Sequence, residues 1–220
     1  MAFPHETDEH EAKIKCLLLD MLLAEGSKLD NLPIAALEVT FSGGRRRADL
    51  VSIGNELVGY EIKSKRDNIE GISEQISEYL NVFDKTYVVI DSSHLKNIRP
   101  KIPPTVGILK YENGIITHVR KAAHKKRLSK KAILTSLGRD TLNGMLKDYG
   151  KTNVAKIDYK ALIEILSDTH TLSDIKKRYR IELHDKYQNS YNEFCRERSN
   201  VTLIDDLKIL SRIRTSSELF

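Results

Sequence analysis

Hydrophobic residues in the first 90 positions change from helical to strand spacing and back, which predicts an α/β fold. Residues 9–24 and residues 69–83 carry apolar side chains at helical spacing, typical of two amphipathic helices. Between them, short segments rich in apolar residues and bounded by Gly or Asn predict three strands, at residues 37–41, 49–53 and 56–64. An apolar run at residues 86–90 predicts a fourth, buried strand. The predicted order is helix, three strands, helix, strand.

The second half of the chain changes from strands to helices. Two further strands, at residues 106–111 and 115–119, are predicted to extend the sheet. From Ser129 the apolar spacing is helical almost to the end. We therefore predict a core domain over residues 1–127 and a helical domain over residues 128–220 that binds nucleic acid or a partner. A helix–Gly–helix pattern around Gly138 could form a helix-turn-helix, but ordinary helix-hairpin packing is the commoner explanation.

Composition indicates an ordinary globular protein. The chain has 220 residues, of which 40% are hydrophobic and 30% charged, so it can bury a core. Cys16 and Cys195 are far apart and fit neither a disulfide framework nor a zinc site, which favours a reducing, cytoplasmic setting. No signal peptide or membrane span is recognisable, so we expect a soluble protein without membrane contact.

The charge distribution favours a polyanionic partner. The formal net charge is +5, and the segment 120–131 contains seven basic residues and no acidic one. A solvated surface is the simpler explanation of such a run, but its place after the core domain, which carries the Asp49, Glu61 and Lys63 motif described next, favours nucleic-acid binding. The predicted nucleic-acid contacts in this segment are Lys121, Lys125, Lys126, Arg127, Lys130 and Lys131.

The strongest chemical signal is an aspartate followed twelve positions later by Glu-Ile-Lys. Asp49 begins one predicted strand, and Glu61 and Lys63 lie near the end of the next. Two nearby carboxylates form a minimal site for Mg²⁺ or Mn²⁺, and an ammonium beside the metal can orient water or stabilise charge on a phosphate. An exposed hairpin with alternating charges is the alternative, and Glu-x-Lys alone would not exclude it.

This interpretation depends on how the two strands pair. Side chains alternate along a strand, so Asp49 shares the face of Glu61 and Lys63 only if it pairs with Glu61 directly. Ile53 must then oppose Leu57 across a three-residue turn. A two-residue turn would put Asp49 on the opposite face, because a one-residue slip inverts every side chain.

These residues and the order of elements resemble the PD-(D/E)XK, restriction-endonuclease-like nuclease superfamily. Ala48-Asp49 takes the place of the Pro-Asp pair, and Glu61-Ile62-Lys63 fits the second motif in full. More closely, the segments 47–51 and 59–67 are similar to a poorly characterised bacterial family of such proteins, and the pattern around Gln75 and Tyr79 supports the match.

The resemblance implies a restriction-endonuclease-like core with added strands and C-terminal helices, and a Mg²⁺- or Mn²⁺-dependent nuclease activity. Asp49, Glu61 and Lys63 would be catalytic. The implied metal-binding positions are Asp49, Glu61, Ile62 and Glu38. An acid on the first helix, Glu11, is the less favoured alternative to Glu38. Gln75 and Tyr79, four apart on one helical face, would position substrate, as in RecB-like members, although an amphipathic helix with a polar flank explains them equally well.

Further predicted nucleic-acid contacts are Arg45, Arg46 and Arg47, in a Gly-rich loop before Asp49, and Lys65 after the Glu-Ile-Lys motif. DNA is favoured over RNA as substrate by resemblance alone.

Two other functions stay open at this point: a catalytically inactive nucleic-acid-binding module of the same fold, and a regulatory module that binds a protein. A homodimer or a partner protein is also left open. The second helix is expected to start near Asn68-Ile69, and Asp67 is expected to cap it.

Overall fold

One mixed six-stranded sheet organises the computed structural model, which describes residues 6–26, 33–148, 150 and 157–211. The strands are β1 (Ile34–Phe41), β2 (Arg46–Ile53), β3 (Leu57–Lys63), β4 (Lys85–Asp91), β5 (Gly107–Glu112) and β6 (Ile115–Arg120). They lie side by side in chain order. β3, β4 and β5 are parallel, and the other neighbouring pairs are antiparallel.

Helices precede, connect and follow these strands. They are α1 (Glu6–Gly26), α2 (Ile72–Val82), α3 (Leu95–Ile98), α4 (Lys130–Leu134), α5 (Arg139–Asp148), α6 (Tyr159–Thr169), α7 (Leu172–Glu197) and α8 (Leu207–Leu210). The predicted order of helix, three strands, helix, strand is confirmed, and so are the two added strands. No helix in the described part of the chain combines the length and apolarity needed to cross a membrane.

The start of α2 differs from the prediction. The helix begins at Ile72, after an N-cap at Gly71 that has no side-chain cap. The carboxylate of Asp67 instead accepts hydrogen bonds at 2.6 Å from both the amide and the hydroxyl of Ser64. The expectation that Asp67 caps α2 was therefore wrong, because its acceptor closes the turn that follows β3.

The predicted register of β2 and β3 is confirmed. Ile53 pairs with Leu57, and Leu50 pairs with Tyr60, across the three-residue turn 54–56. The turn is held from two sides: the carboxylate of Asp84 accepts from the Leu57 amide at 2.9 Å, and the Arg180 guanidinium donates to the Asn55 carbonyl. This pairing puts Asp49, Glu61 and Lys63 on one face of the sheet.

The helices after residue 127 share a hydrophobic core with the sheet. Leu183 and Phe194 of α7 belong to the same buried cluster as Val39 of β1 and Leu50 of β2. A second cluster joins α2 and α3 to β4 and β5, through residues such as Ile76 and Val88. Residue 127 thus lies where strands give way to helices, and the division into two domains stays a prediction.

Gly59 allows α2 to approach β3 closely. A Cβ atom at this position would lie 2.6 Å from Cδ2 of Phe83 and 2.9 Å from Cδ1 of Tyr79, and both rings are fully buried. Since real Cβ atoms do not approach ring carbons so closely, any side chain at Gly59 must displace the buried rings of Tyr79 and Phe83.

We expect Gly59→Ala to destabilise the fold by about 1–3 kcal/mol through overpacking against α2. Gly144→Ala is the matched control, because Gly144 lies inside α5 and an added Cβ meets no atom within 4 Å. The control should gain about 0.5–1 kcal/mol from helix propensity. Chemical denaturation measures both, and equal stability of the two variants would contradict the tight packing at Gly59.

Candidate active site

Three carboxylates lie in one row across β1, β2 and β3. The ladder pairs on both sides of Glu38 follow a single register, which sets Glu38 opposite Asp49. Continuing the β2–β3 register by one position sets Asp49 opposite Glu61. The sheet therefore gathers the two predicted catalytic acids and the additional acid favoured from the sequence.

Glu61 is only 2% exposed and is held by two donors. The ammonium of Lys63 lies 2.7 Å from Oε1, and the hydroxyl of Tyr79 donates to Oε2 at 2.6 Å. A buried carboxylate is stable only when its charge is compensated in this way. Glu61 and Lys63, which the sequence placed on one strand face, thus form an ion pair that a third residue, Tyr79 of α2, supports.

The environment of Lys63 keeps its side chain protonated. Burial lowers the pKa of its ammonium, but the neighbouring carboxylates of Glu61, Asp49 and Asp67 outweigh burial, and the net pKa shift is upward. A lysine that keeps its proton cannot act as a general base. Its chemical roles are therefore those of a hydrogen-bond donor and a fixed positive charge.

Asp49 is an electrostatically unfavourable anion in the absence of a cation. Burial and the nearby charge of Glu61 raise its pKa well above the usual value, and these effects outweigh the amide of Ile62, which donates to Oδ2 at 2.6 Å. The side chain of Ile62 is buried and apolar, so only its backbone carbonyl could serve as the predicted metal ligand.

Glu11 belongs to this site although the sequence favoured Glu38 over it. Carboxylate oxygens of Glu11, Glu38 and Asp49 lie within 4.8 Å of one another. The nearly buried ammonium of Lys15 forms ion pairs with both glutamates, at 2.6 Å from Glu11. The guanidinium of Arg47 also pairs with Glu38, with Nε 2.6 Å from Oε2.

The backbone at Glu38 is strained. Its φ of +55° lies in the left-handed region, although the residues on both sides continue the strand ladder. Non-glycine residues adopt this conformation rarely, at a cost of about 1–3 kcal/mol, and often at functional sites. The conformation is consistent with a carboxylate that is held for binding rather than for strand stability.

The donor set fits a hard divalent cation. All three grouped ligands are carboxylates, which Mg²⁺ and Mn²⁺ prefer. Octahedral Mg²⁺, with oxygens at about 2.1 Å, places adjacent ligands about 3 Å and opposite ligands about 4.2 Å apart. The carboxylate oxygens of the observed cluster, which lie within 4.8 Å of one another, have separations comparable with this range.

The two residues predicted to position substrate differ in access. Tyr79 is 1% exposed and its hydroxyl is occupied by Glu61, so it orients this carboxylate rather than presenting a surface to substrate. Gln75 lies one turn earlier, is half-buried, and its side chain forms no hydrogen bond within the described residues. Gln75 is therefore the one of the pair that is available to a ligand.

Two of the three arginines predicted to bind nucleic acid form ion pairs within the protein. Arg46 forms an ion pair with Glu74, and Arg47 forms one with Glu38. Arg45 donates to the carbonyl of Ser42 at 3.0 Å and is otherwise exposed, and Lys65 is exposed in the turn after β3. Of this group, Arg45 and Lys65 are the most accessible to phosphate.

The predicted basic run does not line the carboxylates. Residues 121–128 cross the end of the sheet where β3 and β4 begin, since the amide of Lys125 donates to the carbonyl of Asp84 at 2.7 Å. Glu61 and Lys63 lie at the other end of β3. Lys130 and Lys131 are occupied by the C-terminal helices: Lys130 donates to the Ser167 and His170 carbonyls, and Lys131 pairs with Glu164.

Asp49→Asn should stabilise the metal-free protein at neutral pH. The raised pKa means that folding becomes less favourable as pH rises from the unfolded value of about 3.9 to the higher folded value. Asparagine keeps the acceptor for the Ile62 amide without the charge. We expect a higher Tm than wild type at pH 7 in EDTA, with the difference vanishing below pH of about 3.9. Glu197→Gln, at an exposed carboxylate, is the control; an unchanged Tm for Asp49→Asn would contradict the repulsion.

Known proteins similar in sequence to this chain identify its family. Protein cII of Enterobacteria phage P4 is 24% identical over 210 residues, covering 93% of this chain and 78% of the relative. A solved structure, the SPO1766 protein of unknown function from Silicibacter pomeroyi, is 18% identical, with a TM-score of 0.42 over 70% of this chain and 100% of the other. The sequence also matches the family described as bacteriophage P4 protein cII over residues 4–211. This chain therefore belongs to the bacteriophage P4 protein cII family.

Proposed function

We propose that this protein is a metal-dependent nuclease with a restriction-endonuclease-like core, and that it hydrolyses phosphodiester bonds, most readily in DNA. The observation that carries the proposal is the β2–β3 register, which brings Asp49 beside Glu61 with the Lys63 ammonium 2.7 Å from that glutamate. The element order from α1 to β4 supports it, because the same order defines the core of the nuclease superfamily that the motifs resemble.

Asp49 would hold Mg²⁺ or Mn²⁺, together with Glu38, Glu61 or Glu11 and the carbonyl of Ile62. A cation bound there supplies positive charge against the phosphate and acidifies water. Asp49 is presented by its hydrogen bond from the Ile62 amide, and its carboxylate must be ionised to bind the cation. The repulsion among the acids is the driving force for cation binding at this place.

Lys63 would act as a fixed ammonium beside the scissile phosphate. Its upward pKa shift keeps it charged, so it can orient the attacking water by hydrogen bonding and stabilise the negative charge that develops on phosphate. Glu61 holds Lys63 in place, and Tyr79 in turn holds Glu61. Gln75, with an unoccupied side chain nearby on α2, would contact the substrate backbone.

The carboxylates favour catalysis over simple nucleic-acid binding. A surface that only binds a polyanion gains nothing from a cluster of acids, because carboxylates repel phosphate unless a cation lies between them. The fold instead keeps the acids together although burial makes the Asp49 carboxylate less stable as an anion and although the backbone at Glu38 is strained. An inactive binding module of the same fold would have no use for the arrangement.

Cleavage assays test the proposal. We expect labelled linear, circular or single-stranded DNA to be cut with Mg²⁺ or Mn²⁺ and not with EDTA. Lys63→Met should slow cleavage by about 10²–10³-fold, the usual effect of losing one transition-state donor. Lys160→Met, which removes an exposed lysine, should leave the rate unchanged.

Asp49→Asn provides the second arm, because it should keep the fold while it abolishes the metal-dependent rate. Thermal melting confirms that each variant is folded before rates are compared. If wild type binds DNA but cuts no substrate with either metal, or if Lys63→Met cuts as fast as wild type, the nuclease proposal is wrong.

A further inference from the structure

Residues 121–128, which we name the basic belt, form an ordered segment across one end of the sheet. The belt leaves β6, and the Ala123 amide donates to the Thr105 carbonyl at 2.9 Å just before β5. The Lys125 amide bonds to Asp84 just before β4, and the Ser129 amide donates to Asn81 at the end of α2. Backbone hydrogen bonds therefore fix the belt in place, although it has no regular secondary structure.

Four cations of the belt have no partner within the described residues: Lys121, Lys125, Lys126 and Arg127. Lys121, Lys126 and Arg127 are exposed, and Lys125 is half-buried. This separates them from Arg120, which donates to the carbonyls of Val106 and Pro103, and from the two lysines of α4 described above. Within residues 120–131, the cations that present uncompensated charge to solvent are therefore those of the belt.

The acids beside the belt are already neutralised. Glu56 is paired with Lys85 at 2.5 Å and with His124 at 2.7 Å. The fully buried Asp84 is paired with Lys176 and accepts from the Leu57 amide. Because internal bases compensate these carboxylates, the surface charge of the belt is positive, and its electrostatic complement is a polyanion.

The register also fixes how far the belt lies from the candidate active site. The belt lies level with Leu57 and Lys85, which begin β3 and β4, whereas Lys63 pairs with Ile90 at the other end of the same two strands. Six residues at about 3.3 Å each separate the belt from the level of Lys63 by about 20 Å, and four residues separate it from the level of Asp49 and Glu61 by about 13 Å. At 3.4 Å per base pair, these distances correspond to about four to six base pairs of duplex.

We propose that the basic belt is a second binding surface for duplex DNA, which contacts backbone phosphates about four to six base pairs from the bond that the carboxylate site cuts. The proposal rests on the nuclease function for the identity of the ligand. It differs from a role in catalysis, because the belt residues are too distant to touch the reacting phosphate. The belt anchors the substrate, and the Asp49 site performs the reaction.

The test uses Lys121→Gln/Lys126→Gln/Arg127→Gln in the full chain. The control, Lys147→Gln/Lys160→Gln/Lys208→Gln, changes the net charge equally at exposed lysines outside the belt. Fluorescence anisotropy in EDTA measures binding to a duplex of about 30 base pairs over a range of salt concentrations. The belt variant should bind at least about tenfold more weakly near 0.15 M salt, with a salt slope reduced by about 2 to 3. The control should retain the wild-type slope.

Unchanged binding by the belt variant, or equal losses in both variants, would overturn the proposal; unchanged binding would direct attention to an acidic protein partner instead. Cleavage with Mn²⁺ separates this result from the nuclease proposal. A protein that binds DNA through the belt but cuts nothing would refute the nuclease and leave the belt in place. If the protein cuts DNA with Mn²⁺ but the belt variant binds DNA as tightly as wild type, the nuclease proposal stands and the belt proposal is wrong.

Discussion

The antiparallel register of β2 and β3 is the constraint on which the candidate site depends. With the three-residue turn 54–56, Asp49, Glu61 and Lys63 share a face; with one residue fewer, Asp49 would point to the other side of the sheet. Distant parts of the chain fix this turn, since Asp84 accepts from the Leu57 amide and Arg180 of α7 donates to Asn55. The C-terminal helices thus help to set the geometry of a site to which they contribute no carboxylate.

The same site carries an energetic conflict that the fold only partly resolves. Three strands and α1 bring four acids together, and burial makes their repulsion stronger than it would be in water. Lys15, Lys63, the Tyr79 hydroxyl and the Ile62 amide offset it, but the pKa of Asp49 remains raised. A proton or a divalent cation would relieve the remaining repulsion. Sites that bind a cation commonly trade stability for function in this manner.

Local patterns predicted the strands, the register condition and the main motif, because alternation and turn length are encoded by neighbouring residues. Contacts between distant segments were not predictable in the same way. Glu11 was ranked below Glu38 and Lys15 was missed, although their i, i+4 spacing on α1 was a visible signal, because only the packing of α1 brings them to Asp49. The burial of Tyr79 depends on the missing side chain of Gly59. The distance between the basic run and the carboxylates of the candidate site follows from the parallel pairing of β3 with β4, which sequence spacing does not reveal.

Anomalous diffraction from crystals grown with Mn²⁺ would test the central claim most directly, because it locates the cation and identifies its ligands. The account predicts a peak about 2 Å from a carboxylate oxygen of Asp49, with further ligands from Glu38, Glu61, Glu11 or the Ile62 carbonyl. The same crystals of Asp49→Asn should lack the peak. A folded wild-type protein with no Mn²⁺ bound at Asp49 under millimolar metal would contradict the account.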